Sequence, residues 1–447
     1  MLNKPYKINT TVRLIELFGG VGAQAMSLKE LNVPFEHYRY IEWDKFPVAS
    51  YNAIHNTSFE STDVTKITGD DLGIVEKDKY TYILTYSFPC ISLSLAGKRE
   101  GMVKGSGTAS SLLWEVERLL TETKELPQIL IMENVTQVHS KTVNKKTGKS
   151  NLDYFNEWIN FLSSLGYNSY YADMNAKDFG VAQNRVRTIM VSILGDYTFS
   201  FPEGFTLTKH LKDYLDTKVE DKYYLTSDKT KKLVDNLLKE GRLTNNQFGV
   251  IGSTQKNAFV GDGEYSPTLT SAMGMGGGQI PMLNEEYIRK NDEKVIIDDL
   301  YPSRTRVFPN YSPALRAERH DLKVADTSVI VAMRGRNPNN PSDRTTGCPT
   351  VQRLEPQHDG ICNTITTVQK DNLVLEFNEN PNLRKMTPRE CWRLMDFTDE
   401  DFDKAAAVNS NTQLYKEAGN SIVKNILVAV IGQLFEGKEN HYKERFD

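Results

Sequence analysis

The chain has 447 residues, 39% of them hydrophobic and 25% charged, with a formal net charge of −4 at pH 7. That length supports two or three domains with sizeable cores, and the composition is that of an ordinary globular protein, not a fibrous or disordered one. The overall charge points to no polyanion partner, though a local patch can still bind one, and no apolar run approaches the ~20 residues that span a bilayer.

The N-terminal stretch MLNKPYKINTTVRLIELFGG lacks the long apolar segment and small-residue cleavage site of a secretory signal. Four cysteines, Cys90, Cys348, Cys362 and Cys391, form no CxxC pair. Neither a metal knuckle nor a disulfide framework is expected, and the expected setting is a reducing, cytoplasmic one without membrane attachment.

Through residue 200 the chain alternates short β-type runs with helical stretches. RLIELF (13–18), YRYIEW (38–43), YTYILTYSF (80–88), QILIMENV (128–135) and RTIMVSIL (187–194) read as strands, and 110–120 and 154–166 as helices. The alternation predicts an α/β fold with a doubly wound, mostly parallel sheet, and near-continuous apolar strands suit a sheet covered on both faces. From about 205 come charged, helix-leaning connectors (LTKHLKDYLDTKVEDKYYL and SDKTKKLVDNLLKEGRL), and after 247 a glycine- and proline-rich stretch with short β-type runs. YSPTLTSAM (265–273), YSPALRAER (311–319) and ICNTITTVQ (361–369) form a weak internal echo, either three related strand–loop units or repeated turn chemistry. Helical texture returns after 384 and ends in NSIVKNILVAVIGQLF (420–435), where Ile422, Ile426, Val430 and Leu434 make a buried stripe that Asn420 or Ser421 can cap. The expected division is 1–200, a cofactor-binding catalytic domain; 201–383, a smaller, irregular β-rich domain with its connector; and 384–447, returning to the first domain.

The first strand runs into Gly20-x-Gly22-x-x-Ala25 and then a helix, a turn that lets a ligand approach the helix N-terminus closely. Glu42 stands at the end of the second strand, where an acid can hold ribose hydroxyls. These residues fit NAD, FAD or S-adenosylmethionine alike. Trp43 offers a face for an adenine ring or is simple core, and Asp63 offers an acceptor for an adenine amine or caps a helix.

Cys90 follows a β-type run and precedes ISLSLAGKREGMVKGSGTAS, a glycine-rich loop bearing Lys98, Arg99 and Lys104. Such a loop can close over a substrate and neutralise phosphates. A free thiol near pKa ~8.5 is only slightly ionised at neutral pH, so a nucleophilic Cys90 needs an electropositive surrounding; the alternative is an inert buried thiol. Glu133-Asn134 ends a strongly apolar strand, where polar groups are costly to leave unpaired. Arg185 and Arg187 lie two apart and face one side if both are in a strand.

Taken in order, FGGVG, EWD, DV, PC with AGKREG, ENV, QNRVR, RKMTPRECWRLMDF and GNSIV resemble the cytosine-C5 DNA methyltransferases of the bacterial and phage restriction–modification type. The resemblance covers roughly 12–195 and 384–435. It implies a Rossmann-like S-adenosylmethionine-dependent methyltransferase fold, no metal, and methyl transfer to C5 of a flipped-out cytosine in a specific duplex DNA sequence. It further implies that Cys90 adds covalently at C6, Pro89 shapes its turn, Glu133 engages the ring at N3 and the exocyclic amine, and Arg187 with Arg185 contacts the cytosine carbonyl and nearby backbone. Phe18, Gly20, Gly22, Glu42, Trp43, Asp63, Asn420 and Ser421 match the cofactor motifs. Glu16 departs from the family's usual aspartate, and Ile91-Ser92-Leu93-Ser94 from its usual stretch after the cysteine. The family habit is a monomer whose segment between QNRVR and TPRE reads DNA; a partner nuclease acting on the same sequence is left open.

Within that segment, residues 301–358 carry nine basic residues, Arg304, Arg306, Arg316, Arg319, Lys323, Arg334, Arg336, Arg344 and Arg353, against five acids. Arginine forks suit guanine edges and phosphates, so Arg304, Arg306, Arg334 and Arg336 join Lys98 and Arg99 as candidate DNA contacts; a solvated basic face is the alternative. Three rival readings remain at this stage: a transfer-RNA cytosine methyltransferase, whose insert is typically shorter; a nicotinamide-dependent oxidoreductase sharing the glycine turn; and a DNA-binding protein without catalysis.

Overall fold

The computed structural model describes residues 4–90, 93, 102–144, 147–209, 211–224 and 384–446, with the backbone of short strands between 250 and 383. Contacts divide the chain into two units. The first is Met1–Phe179, Val186–Thr206 and Ile422–Asp447; the second is Gly180–Arg185 and Leu207–Ser421.

In the first unit the elements run β1 (Thr11–Leu17), α1 (Ala23–Glu30), β2 (Phe35–Ile41), α2 (Lys45–His55), β3 (Tyr80–Tyr86), α3 (Leu113–Glu122), β4 (Ile129–Asn134), α4 (Asn151–Ser164), β5 (Tyr167–Asn175) and β6 (Val186–Leu194). They build one six-stranded sheet in the order β2-β1-β3-β4-β6-β5. The first four strands are parallel, and β6 runs antiparallel to both β4 and β5. The four parallel strands put their carboxyl ends, and β6 its amino end, along one edge of the sheet. Every residue of β4 is buried, as a central strand covered on both faces requires.

The core on one face closes around Trp158 of α4, whose indole N–H donates to the Tyr86 hydroxyl at 3.0 Å while both rings are fully buried. Ser150 and Asp153 make a capping box that fixes where α4 starts. Strand β5 has no counterpart in the sequence reading. Its YNSYYADMN is polar and aromatic with only Tyr167 and Met174 buried, the profile of an edge strand, and carries no apolar run to announce it.

The C-terminal helix α8 (Lys424–Gly432) belongs to the first unit and is buried at all nine positions. It packs on α1, where Lys424, 3% exposed at its side chain, reaches Glu30 at 3.1 Å and Ser27 Oγ donates to the Lys424 carbonyl. The helix expected from 420 is two helices. Asn420 ends α7 (Asn411–Asn420), Ser421 is its C-cap in extended conformation, and α8 restarts after Val423 without a side-chain cap. Neither Asn420 nor Ser421 caps α8.

The second unit holds β7 (Val295–Asp299), β8 (Thr305–Pro309) and β9 (Leu322–Ala325) as one antiparallel sheet, and β10 (Ile330–Arg336), β11 (Val351–Pro356), β12 (Leu373–Glu376) and β13 (Asn382–Lys385) as another. Two arms of the sequence echo meet, since Leu269 pairs with Ile365 in a parallel ladder. The connector around 211–223 forms two short 3-10 turns, Leu211–Tyr214 and Asp221–Tyr223, in place of the expected helix; SDKTKKLVDNLLKEGRL lies outside the described residues.

Among the described residues, helices α5 (Pro388–Arg393), α6 (Asp399–Ala406) and α7 also belong to this unit. Cys391 is fully buried among them, with burial pushing its thiol pKa up, as an inert core cysteine. The chain therefore rejoins the first unit at Ile422 and not at 384, because Trp392, Leu394 and Leu414 are core residues of the second. No helix among the described residues is long and apolar enough to cross a membrane.

Candidate active site

The loop after β1 carries the cofactor candidates. Phe18, Gly20 and Gly22 have φ of 57°, 54° and 84°, left-handed values that glycine adopts at little cost and phenylalanine does not. The Phe18 N–H donates to the Ile41 carbonyl at 2.8 Å, which ties the loop to the end of β2. Glu42, next along, accepts from the Gly20 N–H at 3.3 Å and the Asp44 N–H at 3.0 Å. Desolvation raises the Glu42 pKa, and those two backbone donors oppose the shift.

Trp43 is 75% exposed, which removes the core reading and leaves a large apolar face beside the loop. Asp63 caps the 3-10 turn Val64–Lys66, accepting from the Thr65 N–H and hydroxyl, both at 2.9 Å, and these bonds lower its pKa. It is nonetheless exposed, and the Thr62 N–H donates to the Glu42 carbonyl at 2.8 Å, so Asp63 follows directly on a segment bonded to the end of β2. Phe18, Gly20, Glu42, Trp43 and Asp63 thus share one corner of the carboxyl edge. An open cradle at Gly20, an acid and an exposed indole form a donor and acceptor set that fits a nucleoside with ribose hydroxyls and an adenine ring.

Beneath this loop lies Glu16, fully buried, accepting from the Tyr51 hydroxyl at 2.5 Å. Burial raises its pKa to about 8, so the folded protein holds a proton there that the unfolded chain releases above its ordinary 4.5. The stabilisation from this bound proton is complete below pH 4.5 and is lost as pH rises to about 8. Relative to Glu16→Gln, wild-type unfolding free energy is expected to fall by about 1.4 kcal/mol per pH unit across that window. His37, 2.8 Å from the Tyr51 hydroxyl, has a lowered pKa and stays neutral above pH 7, so the interval from 7 to 8 isolates Glu16. Parallel curves for the two proteins there would refute the buried neutral carboxyl.

Along the same edge, β3 leads into Phe88-Pro89-Cys90. Two buried side chains hold this turn: Asn134 Nδ2 donates to the Phe88 carbonyl at 3.0 Å and Ser110 Oγ to the Pro89 carbonyl at 2.8 Å. Cys90 is half-buried, not sealed in the core, and its carbonyl accepts from the Leu93 N–H at 2.9 Å. One strand over, Glu133 is 8% exposed and sits 3.2 Å from Arg187 Nε on the neighbouring β6. Because β6 runs antiparallel, its first residues reach the carboxyl end of β4, with Thr188 opposite Asn134. Cys90, Glu133 and Arg187 therefore share the edge that bears the glycine-loop corner, a half-buried thiol on the same edge as a paired acid and guanidinium. Ser110 was not singled out from the sequence, where it stands only as the first residue of the run 110–120 read as a helix.

Arg185 takes a different place. The strand begins at Val186, so the alternation that set Arg185 beside Arg187 does not apply. Arg185 belongs to the second unit, is 2% exposed, and donates to the carbonyls of Gly419 at 3.1 Å and Ser421 at 2.7 Å. Asn420, exposed, and Ser421, buried, are in that unit too.

Lys98, Arg99 and Arg304 lie outside the described residues. Arg306 falls in β8 and Arg334 and Arg336 in β10, with Arg334 paired in register to Arg353 of β11. Among the described residues no group of three or more His, Cys, Asp or Glu is placed to hold a metal ion.

The C-5 cytosine-specific DNA methylase family model matches residues 12–436. Orphan methyltransferase M.SPRI of Bacillus phage SPR is 29% identical over 97% of this chain and 99% of its own. Type II methyltransferase M2.ScrFI of Lactococcus lactis subsp. cremoris is 26% identical over 96% of this chain and 100% of its own. Among solved structures, methyltransferase EhMeth of Entamoeba histolytica aligns over 96% of this chain and 99% of its own with a TM-score of 0.55 and 15% identity, a likeness of fold. The chain belongs to the C-5 cytosine-specific DNA methylase family and is a DNA (cytosine-5-)-methyltransferase.

Proposed function

We propose that this enzyme methylates C5 of a cytosine swung out of a specific duplex DNA sequence, through a covalent bond between Cys90 and C6. The observation that carries this is the convergence of the pinned Pro89-Cys90 turn with the Glu133–Arg187 pair on one sheet edge. Cytosine C5 is a poor nucleophile. When the Cys90 thiolate bonds to C6, the electrons of the C5–C6 double bond move to C5, which becomes able to take a methyl group. Glu133 holds N3 and the exocyclic amine and supports charge in the ring as the adduct forms, while Arg187 orients Glu133 and contacts the cytosine carbonyl. Once C5 is methylated, its proton leaves to a base, the electron pair restores the double bond, and the S–C6 bond breaks to free Cys90.

S-adenosylmethionine supplies the methyl group, held by the corner of Phe18, Gly20, Glu42, Trp43 and Asp63; Gly22 shapes the loop, and Asn420 and Ser421 match the family's last cofactor motif. Extruding the base costs a few kcal/mol, which contacts to the pocket and the loop bearing Lys98 and Arg99 offset. Residues 201–383 read the duplex, with Arg304, Arg306, Arg334 and Arg336 as DNA contacts. The orphan designation of the phage relative supports action without a cognate nuclease.

The test incubates full-length protein with tritiated S-adenosylmethionine and either mixed-sequence duplex DNA or tRNA. Label is expected in DNA, recovered as 5-methylcytosine on hydrolysis. Label confined to tRNA, or recovered in another base, would overturn this reading.

A further inference from the structure

The glycine loop rests on three side chains that no motif announces. The Tyr40 hydroxyl donates to the Gly20 carbonyl at 2.7 Å, and His55 Nε2 lies 3.1 Å from the Val21 carbonyl. A carbonyl only accepts, so this nitrogen carries the hydrogen. The Tyr51 ring lies between the two, with centroids 3.9 Å from Tyr40 and 4.3 Å from His55, and is anchored below by Glu16.

The loop presses hard on this platform. A Cβ at Gly19 would come 2.6 Å from the Tyr40 ring, and one at Gly22 would come 2.4 Å from His55 Nε2 and 2.6 Å from Tyr51. A Cβ at Gly20 would meet nothing within 4 Å. The glycines therefore divide by role: Gly19 and Gly22 are small because the platform is close, and Gly20 looks outward. Three of the five residues from Phe18 to Gly22 hold left-handed backbone, which persists only where the surroundings enforce it.

We propose that Tyr40 and His55 are positioning residues for S-adenosylmethionine: by holding the Gly20 and Val21 carbonyls on the protein side, they keep the loop in its binding conformation before the cofactor arrives, with Gly20 as the ligand-facing glycine. This rests on the reading of that loop as the cofactor site. A loop already ordered does not spend binding free energy on its own ordering, so the effect falls on affinity and not on the methyl-transfer step.

Calorimetric titration of full-length protein with S-adenosylhomocysteine provides the test. Tyr40→Phe removes one hydroxyl and keeps the ring, and Kd is expected to rise about three- to tenfold, the range of one lost hydrogen bond. KM for S-adenosylmethionine should rise with it, while kcat at saturating cofactor stays within about twofold. His55→Leu should weaken binding similarly, and His55→Gln, which restores an N–H, should recover part of the loss. Gly20→Ala should lose only the modest melting temperature that alanine in left-handed backbone costs, yet bind at least about tenfold more weakly, whereas Gly22→Ala, whose Cβ would also meet His55 and Tyr51, should lower that temperature further.

Unchanged Kd in Tyr40→Phe and His55→Leu would overturn the proposal. So would a joint fall of affinity, kcat and melting temperature, which marks a merely structural role. Wild-type protein that fails to bind S-adenosylhomocysteine would instead overturn the cofactor assignment, and the proposal with it.

Discussion

Cys90→Ala is expected to form no SDS-stable adduct with duplex DNA containing 5-fluorocytosine, and to lose methyl transfer by a factor on the order of 10⁴ or more. Fluorine at C5 cannot leave as a proton does, so the enzyme that has added to C6 and methylated C5 stays bonded to its substrate. Wild-type protein with S-adenosylmethionine is therefore expected to accumulate a species of protein plus DNA mass, in a time course that follows addition. Alanine in place of a half-buried cysteine opens no core cavity, so the variant should melt with wild type and still bind DNA.

Glu133→Gln separates the two roles on this edge. The thiol remains and the adduct still forms, but without the carboxyl opposite Arg187 it should form about 10²–10³-fold more slowly, the range measured for removing one group that stabilises developing charge. An adduct in Cys90→Ala at the wild-type rate would end the covalent mechanism. Equal rates in Glu133→Gln and wild type would remove Glu133 from the chemistry and leave Cys90 in place.

What the sequence made legible follows how locally each feature is encoded. The glycine turn, Glu42, Cys90 and Glu133 sit at strand ends, and an apolar run followed by a polar residue marks a strand end in one dimension. Parallel order also followed from the alternation of elements, and β1 to β4 and β6 stand within a few residues of their expected places. Features that depend on partners far along the chain were not legible. Arg185 was grouped with Arg187 by a two-residue period, but its partners are carbonyls more than two hundred positions away, and the strand that would justify the period starts one residue later. The reading of Asn420 or Ser421 as the cap of one long helix rests on the stripe of Ile422, Ile426, Val430 and Leu434, but α8 is buried on every side, so the stripe does not mark where the helix starts. Tyr40 and His55 were invisible for a related reason: each lies on an element whose own pattern accounts for it, and only the folded loop shows what they hold.

The largest stability effect is expected in the second unit, at Arg384 and Glu390. Their side chains are fully buried and meet through two bonds, Nη1 to Oε2 at 3.0 Å and Nη2 to Oε1 at 3.1 Å. Glu390 also accepts the Thr387 N–H at 2.7 Å, completing the capping box of α5, and the Asp216 N–H at 2.9 Å. Desolvation pushes the Glu390 pKa up, and Arg384 is the main influence pulling it back. Arg384→Met keeps the apolar volume but strands the carboxylate, and removing one partner of a buried pair costs about 3–5 kcal/mol. Glu390→Gln leaves a buried guanidinium without its counter-charge, at a similar cost.

The double variant strands neither charge, so its loss should fall short of the sum of the two singles by at least about 1 kcal/mol. The stranded carboxylate also sets a sign with pH. In Arg384→Met the folded-state pKa of Glu390 rises further above its unfolded value, so stability is retained in acid and lost as pH increases; the deficit should shrink toward pH 5 and widen toward pH 8. Hydrogen exchange of amides in 388–420 reads the free energy of this unit directly. Additive losses that do not change with pH would mean that the pair is not coupled as its bidentate geometry requires.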